Sequence, residues 1–234
     1  MKNTIQDKSK LVNSVFSKVY KKYDFMNDIM SFGIHRVWKE KFIDWMNPSK
    51  NSNLIDVASG TGDIAKLILK KYGNFSKITC VEPNEKMFKE GKNNLRDFKN
   101  INWIKSIAEA LPVDDNTFDF YSISYGIRNV SDINKALKEA YRVLKPGGRF
   151  MCLEFSKVEN ELLNLIYKGY SKSFPLIGKF VVGTSKPYEY LINSIENFYN
   201  QKQLSKLLTD NGFENVEYRN LSSGISAIHS GWKI

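Results

Sequence analysis

The sequence is poor in cysteine and in long apolar runs. It has two cysteines among 234 residues, Cys80 and Cys152, and both lie in apolar runs typical of strands. We therefore expect buried free thiols in a reducing compartment, and neither a disulfide nor a metal site of cysteine and histidine. No run of about 18 uncharged apolar residues occurs, so the sequence predicts no membrane-spanning helix.

A targeting segment is also missing. The opening residues, MKNTIQDKSK, contain no arginine and no apolar core, and they include Asp7. Signal and transit peptides have the opposite composition, so we expect a cytoplasmic bacterial protein, with peripheral binding to the inner face of the membrane left open. The formal net charge of +10 suggests an acidic partner, although lysines spread over solvated helix faces give the same excess with no partner.

From residue 51 onward, apolar runs alternate with amphipathic segments. The predicted strands are NLIDVAS, KITCVEP, INWIKS, FDFYSISYG and RFMCLEF, and the predicted helices span residues 61–72, 84–97 and 131–143. This alternation indicates an α/β fold with a doubly wound, mostly parallel sheet. The segment ENVEYRNLSSGISAIHSG predicts an antiparallel hairpin that closes the sheet.

Two segments do not follow this alternation. Residues 8–46 are predicted to be helical and amphipathic, which gives a helical N-terminal cap over residues 1–50 and an α/β domain over residues 51–234. Residues 157–198 are predicted to be a helical insertion on the substrate side, rich in aromatic and aliphatic residues. Both segments suit lids packed on the sheet, and both also suit contact with lipid.

The turn SGTGD between the first strand and its helix carries the main chemical signal. Gly60 and Gly62 allow backbone to approach a ligand at the carboxyl end of a strand. The pattern G-x-x-x-x-G-K-[ST] of a nucleoside triphosphate loop is absent, and Asp63 in the first helical turn would repel the pyrophosphate of NAD. Asp56 and Glu82, which end the first two strands, favour a cationic cofactor with a ribose diol, as in S-adenosylmethionine (SAM). Taken singly, Asp63 is more ordinarily a helix first-turn acid and Glu82 a solvated strand end, and only their combination with this turn favours SAM.

Longer motifs point to a family. DVASGTGD, VEPN, AEALPVDDNTFD and RVLKPGGRF resemble the class I SAM-dependent methyltransferases. KYDFMNDIMSFGIHRVWK, SISYGIRNV, LEFSK and GISAIHSGWKI resemble, more narrowly, the ubiquinone/menaquinone biosynthesis C-methyltransferases of the UbiE type. The resemblance implies a seven-stranded methyltransferase sheet and methyl transfer from SAM to a ring carbon of a polyprenylated benzoquinol or naphthoquinol. Which ring is used, and how long its tail is, stays open.

The resemblance also assigns residues to the cofactor. Together with the glycine turn, the expected cofactor-binding set is Asp56, Gly60, Thr61, Gly62, Glu82, Ile107, Ala108 and Ser124. Ile107 departs from the family pattern, in which asparagine or aspartate hydrogen-bonds the adenine amine. We therefore expect Ile107 to act as a wall, while stacking, backbone groups and Ser106 hold the adenine.

The segment after the fourth strand is the expected catalytic element. A phenolate is a far better carbon nucleophile than a neutral quinol, and Arg128 is placed to stabilise its charge or to order a water that takes the proton. Asn129 would orient the other ring oxygen. The alternative for Arg128 is a structural ion pair with Asp132 or with the cap. His35 is a further candidate base, although a structural role is the more ordinary one for it and for His229. The expected substrate-binding residues are Tyr23, Asp28 and Tyr125.

The expected partners follow from a substrate whose isoprenoid tail resides in the membrane. They are the polyprenylated quinol, an anionic membrane surface, other quinone-biosynthesis proteins and a second copy of the chain. Nucleic acid is not expected, because SYGIRN stands where base methyltransferases have an N/D-P-P-Y element. Two alternatives remain: an NAD-dependent oxidoreductase, which Asp63 and the closing hairpin disfavour, and an inactive scaffold, which Ile107 favours.

Overall fold

The computed structural model describes Ser17, Asp28, Ser31, residues 33–73 and 77–159, Gly169, and residues 186–234. Much of the predicted cap over residues 8–46 and of the insertion over residues 157–198 therefore lies outside the described residues, as does Tyr23.

Seven strands form one sheet. They are β1 (Asn53–Val57), β2 (Lys77–Val81), β3 (Ile101–Ile104), β4 (Phe118–Ser124), β5 (Leu144–Phe155), β6 (Glu214–Leu221) and β7 (Ser226–Trp232). Their order in space is β3-β2-β1-β4-β5-β7-β6. The first five strands are parallel, and β7 runs antiparallel to both β5 and β6. This confirms the predicted doubly wound sheet and its closing hairpin. The strand order reverses between β1 and β4, where open α/β sheets bind their ligands.

Six α-helices flank the sheet in the described part of the chain. They are α1 (His35–Met46), α2 (Asp63–Tyr72), α3 (Glu85–Asn94), α4 (Ile133–Val143), α5 (Lys186–Glu196) and α6 (Gln201–Asp210). Side-chain caps determine where several of them begin. The Asn84 side chain accepts from two backbone N–H groups of α3, Asp132 caps α4, and Asn200 caps α6. Because a capping residue lies outside its helix, the helices begin one or two residues later than the apolar pattern predicted.

Apolar side chains fill the space on both faces of the sheet. Trp38, Phe42 and Met46 of α1 are buried in the same cluster as Ile64 and other residues of α2 and of the strands. The described part of the cap therefore packs into the core of the α/β fold. Cys80 and Cys152 are free and buried, as expected. None of the described helices is long and apolar enough to cross a membrane.

Candidate active site

A cavity of about 380 Å³ lies at the point where the strand order reverses. It is bordered by the carboxyl ends of β1, β2 and β4, by the N-terminal turn of α2 and by one side chain of α1. The lining side chains that bear on its chemistry are Lys39, Asp56, Asp63, Glu82, Ser124 and Asn129.

The ends of β1 and β4 have unusual backbone conformations. Ala58 and Tyr125, each just past its strand, have positive φ angles of 54° and 55°. Gly126 lets the two chains approach, since a Cβ atom on it would lie 2.6 Å from the Cβ atom of Ala58. Strained backbone of this kind concentrates at functional sites. The chain changes direction at both Ala58 and Tyr125, and both line the cavity.

The two glycines of the turn have different roles: the first lines the cavity, and the second packs against α3. Gly60 and Thr61 line the cavity, and the Gly60 N–H donates to the Glu82 carboxylate at 2.9 Å. Gly62, with a φ of +87°, lies outside the lining. A Cβ atom on it would meet Leu95 at 2.6 Å, so this glycine brings the start of α2 close to the end of α3.

Two buried carboxyls face the cavity. Glu82 accepts from the Gly60 and Asn84 N–H groups, and its burial raises its pKa to about 7. Asp56 Oδ1 accepts from the Ser122 hydroxyl at 2.6 Å, and burial raises the pKa of Asp56 to about 7 as well. Among the described residues, neither Asp56 Oδ2 nor the buried Ser124 hydroxyl has a hydrogen-bond partner. Polar atoms in this state beside a cavity indicate a ligand that satisfies them.

Lys39 is a cavity residue that sequence reasoning missed. Its Nζ lies 2.6 Å from Asp63 Oδ2, and 8% of its side chain is exposed. Lysines are almost never buried to this extent unless they are paired. The sequence held a signal, because Lys39 follows His35 by four residues in HRVWK and so lies on the same face of α1.

Ile107 and Ala108 form the outer wall of the cavity. The Ile107 side chain is 47% exposed, and its hydrocarbon groups can only pack against a ligand. The Ser106 hydroxyl donates to the Ala110 carbonyl at 2.6 Å, so the structure directs it into its own loop instead of toward an adenine.

Arg128 forms an ion pair, with a partner that the sequence did not reveal. Its Nη1 lies 2.5 Å from Glu154 Oε1 and also donates to the Tyr125 carbonyl at 2.8 Å. Asp132, one of the two expected partners, instead accepts from the Lys135 N–H at the start of α4. The guanidinium lies behind the cavity lining, whereas Asn129 next to it is part of that lining.

Asn129 is held by two groups. Its Nδ2 donates to the Tyr125 carbonyl at 3.4 Å, and its Oδ1 accepts from the Tyr190 hydroxyl of α5 at 2.9 Å. Tyr125 itself also borders the cavity. Sequence reasoning missed both Glu154 and Tyr190. A carboxylate inside the apolar run of β5 was a visible signal for a buried partner, but Tyr190 had none.

His35 and Asp28 belong to a polar network at the start of α1, outside the cavity lining. His35 Nδ1 lies 3.0 Å from the Ser31 hydroxyl and 3.6 Å from Asp28 Oδ1. Asp28 pairs with Arg36 at 2.8 Å. Burial lowers the pKa of His35 to about 4, so the imidazole is neutral at pH 7. The same holds for His229, whose Nε2 lies 3.0 Å from the Gln201 carbonyl.

A family model described as the ubiE/COQ5 methyltransferase family matches residues 3–233. The chain belongs to this family. The match confirms the resemblance inferred from the motifs, together with the expected enzyme class and cofactor, a SAM-dependent C-methyltransferase. An NAD-dependent oxidoreductase is left without support.

Similar proteins extend over most of the chain. The ubiquinone/menaquinone biosynthesis C-methyltransferase UbiE of Rickettsia akari is 53% identical, over 97% of this chain and 94% of the relative. The protein of the same name from Brucella suis is 48% identical, over 97% and 87%.

Solved structures share the fold at lower identity. A SAM-dependent methyltransferase of Thermotoga maritima, described as a possible histamine N-methyltransferase, aligns with a TM-score of 0.67 and 22% identity over 94% of this chain and 99% of its own. A SAM-dependent methyltransferase of Aquifex aeolicus aligns with a TM-score of 0.62 and 21% identity, over 92% and 97%. At such identities these structures support the fold alone.

Proposed function

We propose that this member of the ubiE/COQ5 family transfers a methyl group from SAM to a ring carbon of a polyprenylated benzoquinol or demethylmenaquinol in ubiquinone and menaquinone biosynthesis. Two relatives carrying that name are 53% and 48% identical over nearly the whole chain. The observation that carries the proposal is the cavity, in which Asp56 Oδ2 and the Ser124 hydroxyl are buried without a partner in the described structure.

The residues around the cavity fit SAM. Glu82 uses one lone pair on each oxygen for the Gly60 and Asn84 N–H groups, and its remaining lone pairs suit the two hydroxyls of a ribose. Asp56 offers an unused carboxylate oxygen to the positive charges of the cofactor. Lys39 supplies a cation for the amino-acid carboxylate. Ile107, Ala108 and Met87 provide an apolar wall for adenine.

The methyl donor and the acceptor ring need different surroundings. Asp56 and Glu82 line the cavity on the proposed cofactor side, and Asn129 lines it on the proposed acceptor side. SAM supplies, when bound, an electrophilic methyl group on a sulfonium. The acceptor must be held at the near-attack distance with its phenolic proton lost to solvent water, because the phenolate is the stronger carbon nucleophile. The methylated ring carbon then loses its own proton as the aromatic ring and its hydroxyl are restored. Asn129, at the cavity edge after β4, can donate a hydrogen bond to the phenolate oxygen.

Arg128 lies outside the cavity lining and affects this arrangement through the backbone. Its guanidinium is always protonated and therefore does not itself accept the phenolic proton. Paired with Glu154, it donates to the Tyr125 carbonyl, the same carbonyl to which Asn129 donates. Arg128 and Glu154 thus fix the backbone from which Asn129 reaches the substrate.

We further propose that the protein works at an anionic membrane surface, where its prenylated substrate resides. The net charge of +10 supports this. So do Ile34 and Val37, which are 42% and 47% exposed on either side of the exposed Arg36. Flotation with anionic liposomes should recover the protein, and Val37→Asp should reduce recovery more than Phe98→Asp, a change at an exposed residue after α3. Absence of flotation at physiological salt would contradict this part of the proposal.

Calorimetric titration with SAM, followed by a methyl-transfer assay on a short-tailed demethylated quinol, tests the reaction. Micromolar SAM affinity and transfer to a ring carbon are expected, with transfer reduced about 100-fold in Asn129→Ala. A chain that fails to bind millimolar SAM would be the inactive scaffold instead. A chain that binds SAM but methylates no quinol would have another acceptor.

A further inference from the structure

Helix α5 reaches the candidate active site through one side chain. The Tyr190 hydroxyl lies 2.9 Å from Asn129 Oδ1, and the helix packs against the single turn Ile127–Asn129 after β4. Burial raises the pKa of Tyr190, so its hydroxyl keeps its proton and can donate at neutral pH. Neither the sequence motifs nor the family resemblance assigns a role to this tyrosine.

The neighbours of Asn129 determine which way its amide points. The Tyr125 carbonyl can only accept, so the amide atom 3.4 Å from it is the nitrogen. In the reverse orientation, two oxygens without hydrogens would face each other at this distance. The amide oxygen is therefore directed at Tyr190, whose hydroxyl donates to it.

An amide held in this way offers one kind of hydrogen bond to the cavity. Nδ2 carries two hydrogens, and the bond to the Tyr125 carbonyl uses one of them. Tyr190 occupies one of the two lone pairs of the oxygen and holds the oxygen toward α5, so the second N–H is the donor that Asn129 presents to a ligand. A substrate oxygen that meets this N–H accepts a hydrogen bond, and the ionised oxygen of a quinol is a stronger acceptor than its hydroxyl.

We infer that Tyr190 is a positioning residue, which fixes Asn129 with a hydrogen-bond donor toward the cavity and so selects the phenolate form of the acceptor ring. The inference rests on the proposed function, since it concerns the same reaction. It assigns Asn129 to an oxyanion contact and Tyr190 to the control of its orientation.

The helix that carries Tyr190 is itself fixed. Lys157 donates to the carbonyls of Ile195 and Glu196, at 2.9 and 2.6 Å, at the C-terminal end of α5. Tyr188 and Leu191 of the same helix are buried in the core. A cation on the last carbonyls of a helix satisfies groups that have no partner within the helix. The Tyr190 hydroxyl is therefore in place before a substrate arrives.

The test compares Tyr190→Phe with Tyr188→Phe. Tyr188 is two residues away on α5, and its buried hydroxyl has no hydrogen-bond partner in the described structure, so its removal controls for the loss of a hydroxyl from this helix. In Tyr190→Phe, kcat/KM for the quinol should fall about tenfold while SAM affinity stays unchanged. The acidic limb of the pH–rate profile should move up by about one pH unit, because a weaker donor leaves the bound phenol less acidic. Tyr188→Phe should behave as the wild type.

Two further variants separate positioning from a general structural effect. In an Asn129→Ala background, Tyr190→Phe should not lower kcat/KM further, because the amide that Tyr190 positions is absent. Asn129→Asp removes the donor and keeps an acceptor, so transfer should fall about 100-fold. An active Asn129→Asp enzyme would overturn the inference, because it would show that Asn129 presents its oxygen to the substrate.

The outcomes distinguish this inference from the proposed function. If the wild type binds SAM and methylates no quinol, the proposed function fails and the inference fails with it. If the wild type is active and Tyr190→Phe matches it in rate and pH profile, the inference alone is wrong.

Discussion

The Arg128 guanidinium and the Glu154 carboxylate form an ion pair with an Nη1–Oε1 distance of 2.5 Å, and 1% of each side chain is exposed. Glu154 Oε1 also accepts from the Phe155 N–H at 2.8 Å. The pair lies directly behind the residue that is proposed to contact the substrate. Removal of the pair should therefore lower the stability of the fold and disturb the active site.

Glu154→Gln should lower the free energy of unfolding by about 3–5 kcal/mol, because it removes the carboxylate charge that is paired with the buried Arg128 guanidinium. Urea unfolding of the protein without SAM measures this. The matched control is Asp210→Asn, which breaks the exposed pair with Lys206 on α6 and should cost less than about 0.5 kcal/mol. Equal losses in the two variants would mean that burial of the pair has no energetic consequence.

SAM affinity should rise with pH up to about 7 and then level off. Burial raises the pKa values of Asp56 and Glu82 to about 7, so in the free protein both carboxyls hold protons at lower pH. A cationic ligand favours their ionised forms, so binding below pH 7 must release protons. For each proton released, affinity should change up to about tenfold per pH unit.

Calorimetry in buffers of different ionisation enthalpy measures that proton release directly. Glu82→Gln should weaken SAM binding and reduce the number of protons released. Without SAM, the raised pKa values mean that the folded state binds more protons than the unfolded state above about pH 4, so both groups destabilise the fold as pH rises to 7. If Glu82→Gln releases as many protons as the wild type, Glu82 is not one of the groups that lose a proton on SAM binding.

Lys39→Met should weaken SAM binding by roughly 10- to 100-fold, because it removes the cation proposed for the cofactor carboxylate and breaks the ion pair with Asp63. Lys41→Met on the same helix is the control, since Lys41 is exposed and lies outside the cavity lining. Thermal unfolding of both variants checks that α1 still packs on the core. A Lys39→Met protein with normal affinity would show that the carboxylate is bound elsewhere.

Gly126→Ala should abolish SAM binding, because its new Cβ atom would lie 2.6 Å from the Cβ atom of Ala58 and push the ends of β1 and β4 apart. Adding Ala58→Gly should restore much of the binding. It removes the clashing atom, and Ala58 has a φ of 54°, which glycine adopts without strain. SAM titration of the single and double variants makes the comparison. Failure of the second change to rescue the first would exclude this contact as the cause.

The sheet was predictable because its signals are local. The apolar runs, the turn chemistry of LKPGGRF and the pattern of the final hairpin depend on neighbouring residues, and the structure confirms them. The placement of Asp56 and Glu82 at the cavity follows equally simply, since the carboxyl ends of parallel strands meet at one edge of the sheet.

Contacts between distant segments were not predictable in this way. Arg128 meets Glu154 across 26 positions, and Asn129 meets Tyr190 across 61. No periodicity or motif spacing encodes such a pairing, which depends on how α5 and β5 lie against the turn after β4. Whether Arg128 contacts a phenolate directly or forms a structural ion pair could not be decided from the motif GIRNV, because burial of a side chain is a property of the fold.

The close approach of Ala58 and Gly126 also bears on whether binding of one reactant changes the affinity for the other. Ala58 adjoins the glycine turn on the cofactor side, whereas Tyr125, beside Gly126, holds Asn129 on the acceptor side. A ligand that fixes one strand end therefore leaves less conformational freedom to be lost at the other. We expect SAM and the quinol to bind cooperatively. Such a coupling is reciprocal, so the factor by which SAM raises quinol affinity is also the factor by which the quinol retains SAM until transfer is complete.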